Sequence, residues 1–156
     1  MKVIFLDING VLNNHNIISK VRNKSSKWFG DNFDPKSIKC LNQIIEKTGA
    51  AIVISSAWRF VYSFEDLKAI LLRSGVKANI VGETPMLLAN RQNEILFWLQ
   101  TNSVEGYLIL DDNELESFLE APDPDLDLHF IKTIRETGLR RCHIKKAINI
   151  LNNNLD

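Results

Sequence analysis

Three short stretches carry the residue types that handle anions and hard cations: Asp7, the pair Ser55-Ser56, and the pair Asp111-Asp112. Each closes an apolar run. Val3-Ile4-Phe5-Leu6 precedes Asp7, Ala50-Ala51-Ile52-Val53-Ile54 precedes Ser55, and Tyr107-Leu108-Ile109-Leu110 precedes Asp111. One Asp after such a run is ordinary, because Asp often caps the helix that follows. Three polar ends are different if the runs lie side by side. Carboxylates gathered in one pocket repel, and each raises the pKa of the other. A hard divalent cation bound through oxygen relieves that repulsion. Mg²⁺ suits this donor set, and a substrate phosphate can complete its shell. The residue types alone point to a hard divalent cation held at these positions.

The elements that would position these groups follow from periodicity. The runs at 2–6, 50–54 and 106–110 are short, continuous and rich in branched side chains, as in strands buried on both faces. Weaker runs at 78–81 and 128–131 read as two further strands. Helical spacing of apolar residues marks 35–48 (Ile38, Leu41, Ile44, Ile45), 64–74 (Leu67, Ile70, Leu71), 90–100 (Ile95, Trp98, Leu99) and 140–152 (Ile144, Ala147, Ile148, Leu151). Pro35 opens the first of these and Gly49 stands just past its end. Alternating strands and helices predict a doubly wound, Rossmann-like parallel α/β sheet. Ligands in such a sheet bind beyond the carboxyl ends of the strands, where all three polar ends would lie. The chain reads as one domain, 1–156, with a polar flap at 13–34 that carries Lys20, Arg22, Lys24, Lys27 and Trp28-Phe29-Gly30. The acidic, Pro-containing stretch 120–127 reads as a solvated loop.

The same residues carry a family resemblance. Phe5-Leu6-Asp7-Ile8-Asn9-Gly10-Val11-Leu12 resembles the first motif of the haloacid-dehalogenase (HAD) superfamily, a strand running into Asp-x-Asp-Gly. Ile52-Val53-Ile54-Ser55 is similar to the second motif, and Leu108-Ile109-Leu110-Asp111-Asp112 to the fourth. Arg91, within Asn90-Arg91-Gln92-Asn93-Glu94-Ile95, stands where the third motif normally has Lys. Ser55-Ser56-Ala57-Trp58-Arg59, Thr84-Pro85 and Gly138-Leu139 narrow the resemblance to compact phosphatase domains of this superfamily associated with RNA repair, with little or no cap. The resemblance spans nearly the whole chain. It implies that Asp7 is a nucleophile forming an aspartyl-phosphate. Asp7, the backbone carbonyl of Asn9 and Asp111 would ligate Mg²⁺, with Asp112 behind them or acting through water. Ser55 and the Ser56 amide would hydrogen-bond the phosphoryl oxygens, and Arg91 would neutralise their charge. Gly10 and Arg59 are expected at the substrate. Arg for Lys keeps the charge but presents a planar fork with a different reach.

One position departs from the motif. The second Asp of the family's first motif is the general acid that protonates the leaving oxygen, and here it is Asn9. An amide cannot supply or remove a proton at neutral pH, and such help is worth about 10²–10⁴-fold in rate. The Mg²⁺ site is expected to survive, because the implied ligand at position 9 is the backbone. Three accounts stand: an introduced, inactivating change; a natural feature of a binding or sensing descendant; or a substrate whose leaving group needs no acid. Asn9 precedes Gly10, a pair prone to deamidation.

Composition narrows the function classes. Lys+Arg and Asp+Glu are equal at 19 each, which argues against broad attraction to nucleic acid or anionic membrane. Cys40 and Cys142 stand apart and form no CxxC, as free thiols would in a reducing compartment. The opening MKVIFLDING does not read as a secretory signal, and no stretch is apolar enough to span a bilayer, so a cytoplasmic location is expected. His15, His129 and His143 lack metal-ligand spacing; His15, in the flap, is the nearest candidate for a substitute proton donor. With little lid, the pocket should admit a phosphate on a large molecule: a nucleic-acid terminus, a nucleotide or a phosphoprotein. Trp28 and Trp58 could stack on bases or could serve as packing anchors. The leading expectation is a Mg²⁺-dependent phosphomonoesterase. Its alternatives are a catalytically silent domain that binds phosphorylated partners and, more weakly, a receiver-like module.

Overall fold

The structure, a computed structural model, describes residues 1–22, 33–87, 91–113 and 124–154. Strand β1 (Lys2–Leu6) forms the centre of a five-stranded parallel sheet of order β3-β2-β1-β4-β5. β2 (Ala51–Ile54) and β3 (Ile80–Glu83) lie on one side of it, β4 (Gly106–Asp111) and β5 (Phe130–Lys132) on the other. The chain therefore winds outward from β1, returns, and winds outward the other way. This reversal places the topological switch point between β1 and β4, where the connections on either side diverge and leave a crevice.

Helices cover both faces. α2 (Pro35–Thr48), α3 (Phe64–Arg73) and α6 (Arg141–Leu151) pack with Ile4, Leu6, Ile52, Ile54, Leu108 and Leu110 into the larger core. α4 (Arg91–Thr101) and the short α5 (Pro124–Leu128) cover Val3, Phe5, Val53 and Ile109 on the opposite face. Successive strand residues thus serve alternate cores, which is why β1, β2 and β4 read as unbroken apolar runs. α1 (His15–Arg22) follows the first strand-end turn.

Two strands start two residues later than the sequence expectation, and most other ends agree or shift by one residue. The third strand begins at Ile80 rather than 78, because Ile52 pairs with Ile80 and a register shift then sets Val53 against Gly82. The fifth begins at Phe130 rather than 128, because Leu126 and Leu128 belong to α5, opened by Pro124. Of the flap expected at 13–34, the part at 23–32, with Lys24, Lys27 and Trp28, lies outside the described residues, as does 120–123 of the acidic loop. Among the described residues, no helix is long and apolar enough to cross a membrane.

Candidate metal and phosphate site

The parallel ladder continues past the strand ends and carries the polar groups with it. Asp7 N–H donates to Leu110 O at 3.0 Å, Ser55 N–H to Leu6 O at 2.9 Å, and Thr84 N–H to Ile54 O at 2.9 Å. Asp7, Ser55 and Asp111 are thereby held abreast at the carboxyl edge, on the three central strands. Asp7, Asp111 and Asp112 are all buried and can each offer a carboxylate oxygen within 4.8 Å of the other two. Oxygens facing each other across a Mg²⁺ at about 2.1 Å would stand roughly 4.2 Å apart. Three hard, buried oxygen donors at this spacing fit a small divalent cation.

Arg91, the first residue of α4, reaches back into this cluster. One guanidinium nitrogen lies 3.4 Å from Asp7 Oδ1 and also pairs closely with Asp111 Oδ2. Burial, then the neighbouring Asp111 charge, push the Asp7 carboxyl up to about 7; Arg91 and the Ser56 hydroxyl pull the other way. Arg91 alone thus does not offset the two influences that raise Asp7.

The turn after β1 is shaped around Asp112. Gly10 adopts φ +69°, and a Cβ there would stand 2.3 Å from Asp112 Oδ2. Its carbonyl accepts from the Thr133 hydroxyl at 2.7 Å, and its amide donates to Asn13 Oδ1 at 3.2 Å. Asp112 also accepts from Arg135 Nε at 2.6 Å. The sequence reading missed Arg135. Its only signal was position, just past the carboxyl end of a strand in the same sheet.

Asn9 Oδ1 accepts from Trp58 Nε1 and from Asn13 Nδ2, both at 3.0 Å. An indole N–H can only donate, so the amide oxygen must face Trp58 and the amide NH₂ points away from it. Beside Asn9 opens a cavity of about 620 Å³, whose lining includes Gly10, Asn13, His15, Tyr62 and Arg135. Ser55 and Ser56 are buried, and the Thr84 hydroxyl approaches Ser55 Oγ at 3.5 Å.

These contacts correct one expectation and bear on one open choice. Arg59, expected at the substrate, turns inward with its side chain only 2% exposed. It donates to Ser56 O at 2.8 Å and to Thr84 O, and pairs with Glu94 Oε2 at 2.7 Å. Trp58 is 9% exposed and packs near the rings of Phe33 and Tyr62, at centroid distances of 5.9 and 5.5 Å, so of the two roles left open for it the packing anchor fits these contacts.

No curated protein and no solved structure matches the chain. A family model does match, over residues 3–144, and the aligned span takes in β1 from Val3 onward, β4 and every acid of the buried cluster. The chain belongs to the family described as the HAD domain in Swiss Army Knife RNA repair proteins.

Proposed function

We propose that the chain is a Mg²⁺-dependent phosphomonoesterase that removes a terminal phosphate from a nucleic acid, through an aspartyl-phosphate on Asp7. The observation that carries this reading is the buried trio Asp7, Asp111 and Asp112 with Arg91 across it. Such a trio has no structural use that apolar side chains would not serve better, since burying like charges costs several kcal/mol per ion. Asp7, Asp111, Asp112 and the backbone carbonyl of Asn9 would hold the cation. Mg²⁺, when bound, supplies the charge that lets a carboxylate approach an anionic phosphate. Asp7 attacks phosphorus, the bond to the leaving oxygen breaks, and water then hydrolyses the acyl phosphate. Arg91, Ser55 and the Ser56 amide hold the phosphoryl oxygens meanwhile. The family's description supports RNA as the carrier of the phosphate.

Asn9 can donate a hydrogen bond to the leaving oxygen but cannot hand over a proton. The protonation step is therefore the slow one. Release of inorganic phosphate is the test, measured with Mg²⁺ on 3′- and 5′-phosphorylated oligoribonucleotides, nucleotides and phosphopeptides. Asn9→Asp raises turnover at least tenfold on a phosphorylated RNA end; turnover unchanged by this substitution rejects the acid–base role of position 9. The second reading, a silent domain that binds phosphorylated partners, is favoured by the amide oxygen locked by Trp58 and Asn13. It predicts tight binding of phosphorylated ends with no turnover in either form.

A further inference from the structure

Arg59 and Glu94 form an ion pair withdrawn from solvent, with side chains 2% and 5% exposed and a 2.7 Å contact. Arg59 belongs to the 3₁₀ turn Ala57–Phe60, which follows Ser56, and Glu94 to the first turn of α4. The guanidinium spans a third element as well, donating to Thr84 O and, at 3.3 Å, to Pro85 O, just past β3. Arg91 precedes Glu94 by three positions, so the two side chains share one flank of the same helical turn. Arg91 also stands at the very start of α4. Helix starts fray, because their first N–H groups have no partner within the helix. A cation that must meet Asp7 and Asp111 from a helix terminus needs something else to fix that terminus.

We propose that the buried Arg59–Glu94 pair is a positioning device that clamps the first turn of α4 to the Ser56 turn and the end of β3, and so aims Arg91 at the phosphoryl group. This rests on the phosphatase reading above for the identity of the anion. Stability is a poor reason for the pair. A buried pair loses in desolvation about what it gains in attraction, and apolar replacements of similar volume are often neutral or stabilising. What an apolar pair cannot reproduce is the fork: one planar group reaching carbonyls of two segments and the carboxylate of a third. Glu94 never touches substrate here; its effect passes through Arg91.

Binding of inorganic phosphate in Mg²⁺, measured by calorimetry on the unaltered chain, tests this without requiring turnover. Glu94→Gln weakens phosphate binding at least tenfold, and Arg91→Gln does the same. Combined, they lose less than twofold beyond Arg91→Gln alone, because both remove the same contact. The double replacement Arg59→Met with Glu94→Leu keeps the melting temperature within a few degrees yet loses phosphate affinity tenfold. It serves as the test if Glu94→Gln fails to fold. Losses that add fully in the Arg91→Gln background, or wild-type affinity in the apolar double variant, overturn the proposal. So does a lack of phosphate binding by the unaltered chain. Kinetics separate the two readings: an Asn9→Asp form that binds phosphate through Arg91 but hydrolyses no ester rejects the phosphatase and leaves the clamp standing.

Discussion

Burial and the Asp111 charge act on Asp7 in the same direction, and the consequence is a pH-dependent fold. Its carboxyl is pushed up to about 7, from 3.8 in an exposed setting. Between those values the folded chain binds a proton that the unfolded chain has released. Stability therefore falls as pH rises through this window, the reverse of the usual salt-bridged Asp. The metal-free melting temperature of the wild type should decline from pH 4.5 to pH 7.5 relative to Asp7→Asn, which has no proton to lose there. Added Mg²⁺ should raise the wild-type value more at pH 7.5 than at pH 5, since the cation competes with that proton. Equal Mg²⁺ effects at both values would reject Asp7 as a ligand. Gly10 carries a different constraint. Its positive φ disfavours a side chain by about 1–2 kcal/mol, and the missing Cβ leaves room for Asp112. Gly10→Ala should displace Asp112 and reduce Mg²⁺-induced thermal stabilisation by at least half, while far-ultraviolet circular dichroism stays native.

At the scale of elements, the site depends on strands for placement and on turns for chemistry. β1, β2 and β4 set Asp7, Ser55 and Asp111 abreast; the turns after them present Gly10, Ser56 and Asp112. Away from this edge, Asp34 joins three helices. It caps α2 by accepting from Lys36 N–H at 2.9 Å, pairs with Arg140 before α6 at 2.8 Å, and accepts from Asn14, next to α1, at 2.8 Å. Losing the cap costs about 1 kcal/mol, and the pair, buried at Asp34 and partly exposed at Arg140, adds a comparable amount after solvent screening. Asp34→Ala should lower the melting temperature by about 4–8 °C for a chain of this size, measured by calorimetry. Phosphate affinity at the carboxyl edge should stay within twofold. A tenfold loss would mean that the α2–α6 layer, not the sheet edge, organises the site.

For the molecule as a whole, charge balance separates recognition of an end from attraction to a backbone. With 19 basic and 19 acidic residues, the chain has no net charge to draw a polyanion along its surface. The rate on phosphorylated RNA should depend on the terminal phosphate and weakly on length. A plot of log(kcat/KM) against log of salt concentration should have a slope shallower than about −2, the value for about three neutralised phosphates on single strands. A steep slope, together with rates that climb with oligonucleotide length, would point to an extended groove and reject end-directed recognition.

The doubly wound class, the approximate extents of the strands and four longer helices, and the acids at 7, 111 and 112 were legible in the residues alone. Those features are local: an unbroken apolar run marks a strand buried on both faces, and a polar residue at its end marks the ligand edge. Arg91 was expected beside these acids, but the places of Arg59 and Arg135 came only from the three-dimensional packing. Arg59 follows the Ser55-Ser56 turn in sequence, yet its guanidinium turns inward to Glu94, 35 positions away. Arg135 carries no motif, yet it meets Asp112 because β5 lies beside β4. Trp58 could stack or pack as far as the sequence goes, and its packing near Phe33 and Tyr62 comes from segments far apart in the chain or across a turn. Long side chains extend several bonds from the backbone, and their partners come from distant segments, so neither periodicity nor spacing encodes the direction in which they point.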